Sequence, residues 1–160
     1  MNEVERESAA VDAAPEFAEF YEAELDRQVR RAFLMVASNE LANDIVHDAM
    51  VQVFRRWEAL DRPAAYLNRA VLNGCRDAGR SQSVQRRYLG RMVDRGTVDG
   101  TPDLLDDALR TLPFLQRGAV VLRFYGGLSV AEIAEALGCS TGSVGPALDR
   151  ALKKLRKALR

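Results

Sequence analysis

The 160-residue chain has one histidine, two cysteines, one tryptophan and no excess of either charge, with 23 Lys+Arg against 23 Asp+Glu. With His47 the sole imidazole, a Cys/His metal site and histidine-based acid–base catalysis have almost nothing to build on. Cys75 and Cys139 are far apart and lack CxxC spacing, which reads as two reduced, partly buried thiols. There is no Gly-rich phosphate loop and no GxSxG elbow, so the common cofactor and nucleophile frameworks are missing. No apolar run approaches the roughly 18 to 20 residues of a membrane span, and the N-terminus is acidic, unlike a signal peptide. What remains is one or two small soluble domains in the cytoplasm, 48% hydrophobic and only 7% aromatic.

The zero net charge conceals blocks. Residues 1 to 26 hold nine acids and one base, and residues 96 to 108 hold four acids and no base. Residues 50 to 95 hold ten arginines against four acids, and residues 109 to 160 nine bases against three acids. Two basic blocks suit two nucleic-acid-facing modules, and they equally suit solvated Arg-rich helix faces.

Helical periodicity runs through nearly the whole chain and predicts an all-α protein. Residues 1 to 15, polar and ending in Pro15, are expected to form a disordered acidic leader. Phe17, Phe20, Tyr21, Leu25, Val29, Phe33 and Val36 then mark an amphipathic helix closing near Ser38. Ser38 or Asn39 caps a second helix with the stripe Leu41, Ala42, Ile45, Val46, Ala49, Met50, Val53, Phe54 and Trp57. Pro63 opens a third, through Leu67, Ala70, Val71 and Cys75 to about Gly79, followed by a basic extension. These helices form a first domain over residues 16 to 87. A flexible linker is expected over 88 to 100, and a second domain over 101 to 160 opens with Thr101 as N-cap and Pro102 in the first turn. There a helix stops at Pro113 and another covers Phe114 to Tyr125.

After Gly126 and Gly127, Ser129 and Glu132 make a capping box for the short helix VAEIAEAL, which stops at Gly138. Val130, Ile133, Ala134, Leu137, Val144 and Leu148 fit two short helices crossing about a glycine turn. That pattern is a helix-turn-helix, whose second helix enters the major groove, or an ordinary helical hairpin.

The stretch LRTLPFLQRGAVVLRFYGGLSVAEIAEALGCSTGSV resembles region 4 of the sigma-70 family, in its small two-domain ECF (extracytoplasmic-function) branch. NDIVHDAMVQVFRRW and PAAYLNRAVLNGCRDAGRSQSVQRR resemble successive parts of region 2, so the resemblance covers about residues 16 to 160 in the family's order. It implies a dissociable RNA polymerase subunit that directs promoter recognition and has no catalytic activity of its own. Core RNA polymerase and promoter DNA are the expected partners, with an anti-sigma factor as a further one. No cofactor, metal or small-molecule substrate is implied.

By position, Asp44, Ile45, Val46, His47 and Asp48 match the segment with which sigma factors grip the polymerase clamp helices. Asp44, His47 and Asp48 share one face by spacing, which is a partner surface or a solvated acidic face. Asn68, Arg69, Asn73, Arg76, Asp77 and Arg80 match the part that reads and melts the minus-ten element, with Tyr66 a stacking or core residue. Arg80, Arg86, Arg87 and Arg91 are expected on backbone phosphates, or simply in solvent. Ser140, Thr141, Ser143, Arg150, Lys153 and Lys154 fall where the family meets the minus-thirty-five element.

The recognition helix departs from the family. Where the family reads close to GTVKSRL, this chain reads GSVGPAL, with Gly145, Pro146 and Ala147 at the lysine, serine and arginine positions. Upstream binding should be weak or altered in preference. A helix capped at Ser140 would place Pro146 in its interior at a cost of roughly 3 kcal/mol, so the expected helix begins near Ser143. Two other readings compete: a LuxR-type regulator, which would need an effector domain ahead of the helix-turn-helix, and a sigma-like protein that occupies polymerase without selecting promoters.

Overall fold

The computed structural model describes residues 3–89 and 104–160, with side chains described over 15–81 and 104–160. Every regular element among them is helical: α1 (Glu3–Val36), α2 (Asn39–Arg55), a 3₁₀ turn (Trp57–Ala59), α3 (Pro63–Leu89), α4 (Leu104–Arg110), α5 (Phe114–Val120), α6 (Val130–Leu137) and α7 (Thr141–Ala158). The expected cap at Thr101 and Pro102, and nearly all of the expected linker, lie outside the described residues.

In the first half, α1 ends at Ala37, a non-glycine residue in the left-handed region at φ 60, and this reversal folds α2 back onto α1. The Ser38 side chain caps α2 by accepting from the Leu41 amide at 3.2 Å. Ile45, Val46, Ala49 and Val53 of α2 meet Leu67, Val71, Leu72 and Cys75 of α3 in the core. Burial pushes the Cys75 thiol up to about 12, which leaves it protonated and unreactive.

The disordered leader is not found, since α1 begins at Glu3 and runs unbroken through Pro15. Ala9, Ala10, Ala13 and Ala14 are strong helix formers. Pro15 already has helical φ, so it forfeits one bond, to the Val11 carbonyl, without stopping the helix.

In the second half, α5 continues without a break into a π-helical turn (Val121–Tyr125), closed by the Gly126 amide donating to the Val121 carbonyl at 3.1 Å. A Cβ on Gly126 would lie 2.6 Å from the Leu122 carbonyl oxygen, and Gly127 turns at φ 64. No other residue fits this pair without strain. Ser129 and Glu132 form the expected capping box, and Gly138 ends α6 at φ 67.

The expected start of the recognition helix near Ser143 is wrong. α7 begins at Thr141 with Ser140 as N-cap, and Pro146 sits inside it. Three features lower the cost. Gly145 precedes the proline and has no Cβ to meet its ring, so it can remain helical. Ser140 and Ser143 bond through their hydroxyls at 2.7 Å and through the Ser143 amide to the Ser140 carbonyl at 3.1 Å, which closes the first turn. The early start also keeps Val144, Ala147, Ala151 and Leu155 buried on one face.

The halves share a continuous core, with α3 packed on α6 and α1 on α4 and the π turn. Arg117 stitches them together: its Nε donates to the Leu109 carbonyl at 2.9 Å, its Nη2 to Arg110 and Leu112, and its Nη1 to Met35 on α1 at 2.5 Å. Carbonyls at helix ends lack intrahelical donors, so one guanidinium satisfies both α4 and α1.

Candidate nucleic-acid and partner interface

On α2, Asp44, His47 and Asp48 are exposed on one face. His47 is fixed there. Its Nδ1 lies 2.8 Å from the Asn43 carbonyl, which can only accept, so Nδ1 carries the proton and Nε2 accepts from the Tyr21 hydroxyl at 3.1 Å. Ile45 and Val46 do not belong to this surface: both are buried, and Ile45 packs where a Cβ on Gly74 would come within 2.7 Å of it. Their place in the apolar stripe already implied as much. Val51, 46% exposed and one turn beyond His47 on the same face, was missed.

Arg69, Asn73, Asp77 and Arg80 are exposed along α3 at steps of four, four and three residues, which places them in one outward stripe. Two expected members are occupied elsewhere. Asn68 accepts from Gln28 Nε2 at 2.7 Å and from Arg31 Nη1 at 3.1 Å. Arg76 donates to the Leu137 carbonyl at 2.7 Å and stacks over the Phe114 ring at 5.0 Å. Tyr66 is half-buried with the Arg56 guanidinium 5.7 Å from its ring centre, which leaves only part of it for stacking. Arg86 and Arg87 lie on the last turns of α3, beyond the described side chains, and Arg91 is outside the described residues.

On α7, Thr141, Gly142, Gly145, Pro146 and Asp149 form the exposed front, with Ser140 exposed and Ser143 half-buried beside it. A Cβ at Gly142 or Gly145 would meet open space. Ala147 is only 4% exposed, so of the three altered positions it faces the core while Gly145 and Pro146 face outward. Arg150, Lys153 and Lys154 are exposed further along. This helix therefore offers charge for phosphates but few groups for base edges.

Residues 20–85 match the family model "Sigma-70 region 2", and residues 103–155 match "Sigma-70, region 4". The RNA polymerase sigma-E factor of Streptomyces avermitilis is 33% identical over 152 residues, spanning 90% of this chain and 85% of that one. The ECF RNA polymerase sigma factor SigM of Mycobacterium tuberculosis is 32% identical over 141 residues, 83% of this chain and 72% of that one. Among solved structures, the sigma factor RpoE of Bartonella quintana, in complex with the anti-sigma factor NepR, superposes with a TM-score of 0.75 at 20% identity, covering 90% of this chain and 96% of that one. CnrH, in complex with the cytosolic domain of CnrY, gives 0.71 at 24%, covering 95% and 92%. With region 2 and region 4 matched in order and close relatives along nearly its full length, the chain belongs to the ECF branch of the sigma-70 family.

Proposed function

We propose that the chain is a dissociable, non-catalytic subunit that binds core RNA polymerase in the cytoplasm, directs it to promoters, and selects them chiefly at the minus-ten element. The observation that carries this is the contrast between a populated α3 stripe and an α7 front on which Gly142, Gly145 and Pro146 leave only Thr141 and Asp149 to bond. Asp44, His47 and Asp48, with Val51 beside them, present two carboxylates and an apolar patch to the polymerase. Arg69 and Asn73 offer guanidinium and amide groups to unstacked base edges, and Arg80 offers charge to a phosphate. Arg150, Lys153 and Lys154 hold upstream DNA by its backbone, with little preference for sequence.

No helix among the described residues is long and apolar enough to cross a membrane. The LuxR-type reading lacks support, because a region 2 match occupies the place where an effector domain would lie. The test is reconstitution with core polymerase. Binding to core with promoter-directed transcription is expected. Binding without promoter selection would instead make the chain an occupant of polymerase.

A further inference from the structure

Arg31 carries a charge that its surroundings leave unbalanced. It lies on α1 and is 5% exposed, yet no carboxylate bonds it among the described residues. Its Nη1 donates to Asn68 Oδ1 at 3.1 Å, its Nη2 reaches the Gly126 carbonyl only at 3.5 Å, and its Nε is buried without a partner among the described residues. Buried charges are ordinarily paired, because a neutral acceptor does not offset the loss of water around a cation. The under-used atoms are also the pair that matters: Nε and Nη2 form the side edge of a guanidinium, which grips a carboxylate through two parallel bonds.

Arg31 lines a cavity of about 430 Å³, a volume suited to a small molecule. Arg27 and Arg62 line it too, with Glu24, Glu132 and Glu135 among them. These carboxylates are already engaged. Glu24 accepts from Arg27 at 3.0 Å and from Gln28 at 3.3 Å, and Glu135 accepts from both Nη atoms of Arg62 at 3.0 and 3.1 Å. Glu132 accepts from the Ser129 amide at 2.9 Å and is offset by the positive end of α6. Arg31 is therefore the charge left over. Pro63, Ala64, Ala65, Leu128 and Ala136 make the rest of the wall largely apolar.

We infer that this cavity is a binding site for a small organic monocarboxylate, whose carboxylate takes the Nε and Nη2 edge of Arg31 and whose apolar body lies against Pro63, Ala65, Leu128 and Ala136. One unbalanced cation calls for one negative charge. A dianion such as a phosphate monoester would turn its second charge toward the Glu24 and Glu135 carboxylates. The ligand exchanges the long contact with Gly126 for charge-assisted bonds, which are roughly twice as strong as neutral ones. Its wall draws on α1 and the start of α3 in the first half and on Gly126, Leu128 and α6 in the second, so a bound ligand also raises the stability of the whole chain.

The test is a titration of the full chain, followed by nuclear magnetic resonance, with benzoate as the probe, benzamide as its neutral isostere and inorganic phosphate as the small dianion. Neither polymerase nor DNA enters the assay. Benzoate should bind about tenfold more tightly than benzamide and more tightly than phosphate, shifting the Arg31 Nε–H resonance and the amides of Gly126 and Leu128. Saturating benzoate should raise the melting temperature of the parent chain. Arg31→Met should remove the preference for benzoate over benzamide. Ala65→Phe fills the cavity and keeps the guanidinium, so it should abolish binding of both probes, and it decides the matter alone if R31M does not fold. Equal affinities for benzoate and benzamide, tighter binding of phosphate, shifts confined to the exposed bases of α7, or binding that survives A65F overturns the inference. So does an absence of saturable binding, the result for a cavity that takes water only.

Discussion

α3 and α7 are both long basic helices, but they differ in what they hold up to solvent. α3 carries Arg69, Asn73, Asp77 and Arg80 outward in one stripe, while the front of α7 presents Gly142, Gly145 and Pro146 with only Thr141 and Asp149 among them. Positive charge survives in both, because Arg150, Lys153 and Lys154 remain exposed. Charge fixes a helix on a duplex, and hydrogen-bonding side chains on the groove-facing turns read sequence. A helix-turn-helix can therefore keep its fold and its affinity for DNA while losing most of its discrimination.

The sharpest way to break the contrast is to delete readers from each helix. Asn73→Ala or Arg69→Ala should cost about 1–3 kcal/mol, roughly 5- to 150-fold, in transcription from a matched minus-ten element. Thr141→Ala on α7 should change it less than about twofold. A comparable loss from the α7 variant would make Thr141 a reader and overturn the contrast between the two helices.

Next is the backbone of α7. Pro146→Ala returns an amide to bond the Gly142 carbonyl, and should raise stability by about 1–2 kcal/mol, part of the roughly 3 kcal/mol that an interior proline costs. Calorimetry would register this as a higher melting temperature. No rise would mean that α7 starts later than Thr141.

Charge and reading can then be separated on the same helix. Lys153→Ala should weaken DNA binding evenly across sequences and reduce the salt slope by about 1. Gly145→Lys, placed in open space, should steepen the slope by about 1, and titration over a range of salt concentrations checks both.

The smallest effect lies away from DNA. Ala37→Gly relieves the left-handed backbone at φ 60 and should stabilise the first half by about 0.5–1 kcal/mol in denaturant unfolding.

What could be read from the sequence was mostly local. The Ser38 cap, the Ser129–Glu132 box and the stop at Gly138 each depend on residues within a few positions, and each is found. Ile45 and Val46 were misplaced because a family segment carried them over as a block, although their own periodicity pointed inward. The start of α7 was misjudged because Pro146 was weighed without Gly145, whose missing Cβ relaxes the restriction on the residue before proline. The π turn depends on an i to i−5 bond at Gly126 that no pattern announces. The occupation of Arg76 and Asn68 was not visible either. Their partners, Leu137 and Arg31, lie 61 and 37 residues away; the packing of α3 on α6 across the two halves brings Leu137 into reach, and the packing of α1 on α3 within the first half brings Arg31.

The central claim is that selection resides in α3 and that α7 contributes little beyond charge. The most direct measurement is transcription by reconstituted holoenzyme from promoters randomised at both elements, followed by sequencing of the transcribed templates. The account predicts strong base preferences at the minus-ten positions and a nearly flat profile at minus thirty-five. A sharp upstream consensus of similar strength would contradict it.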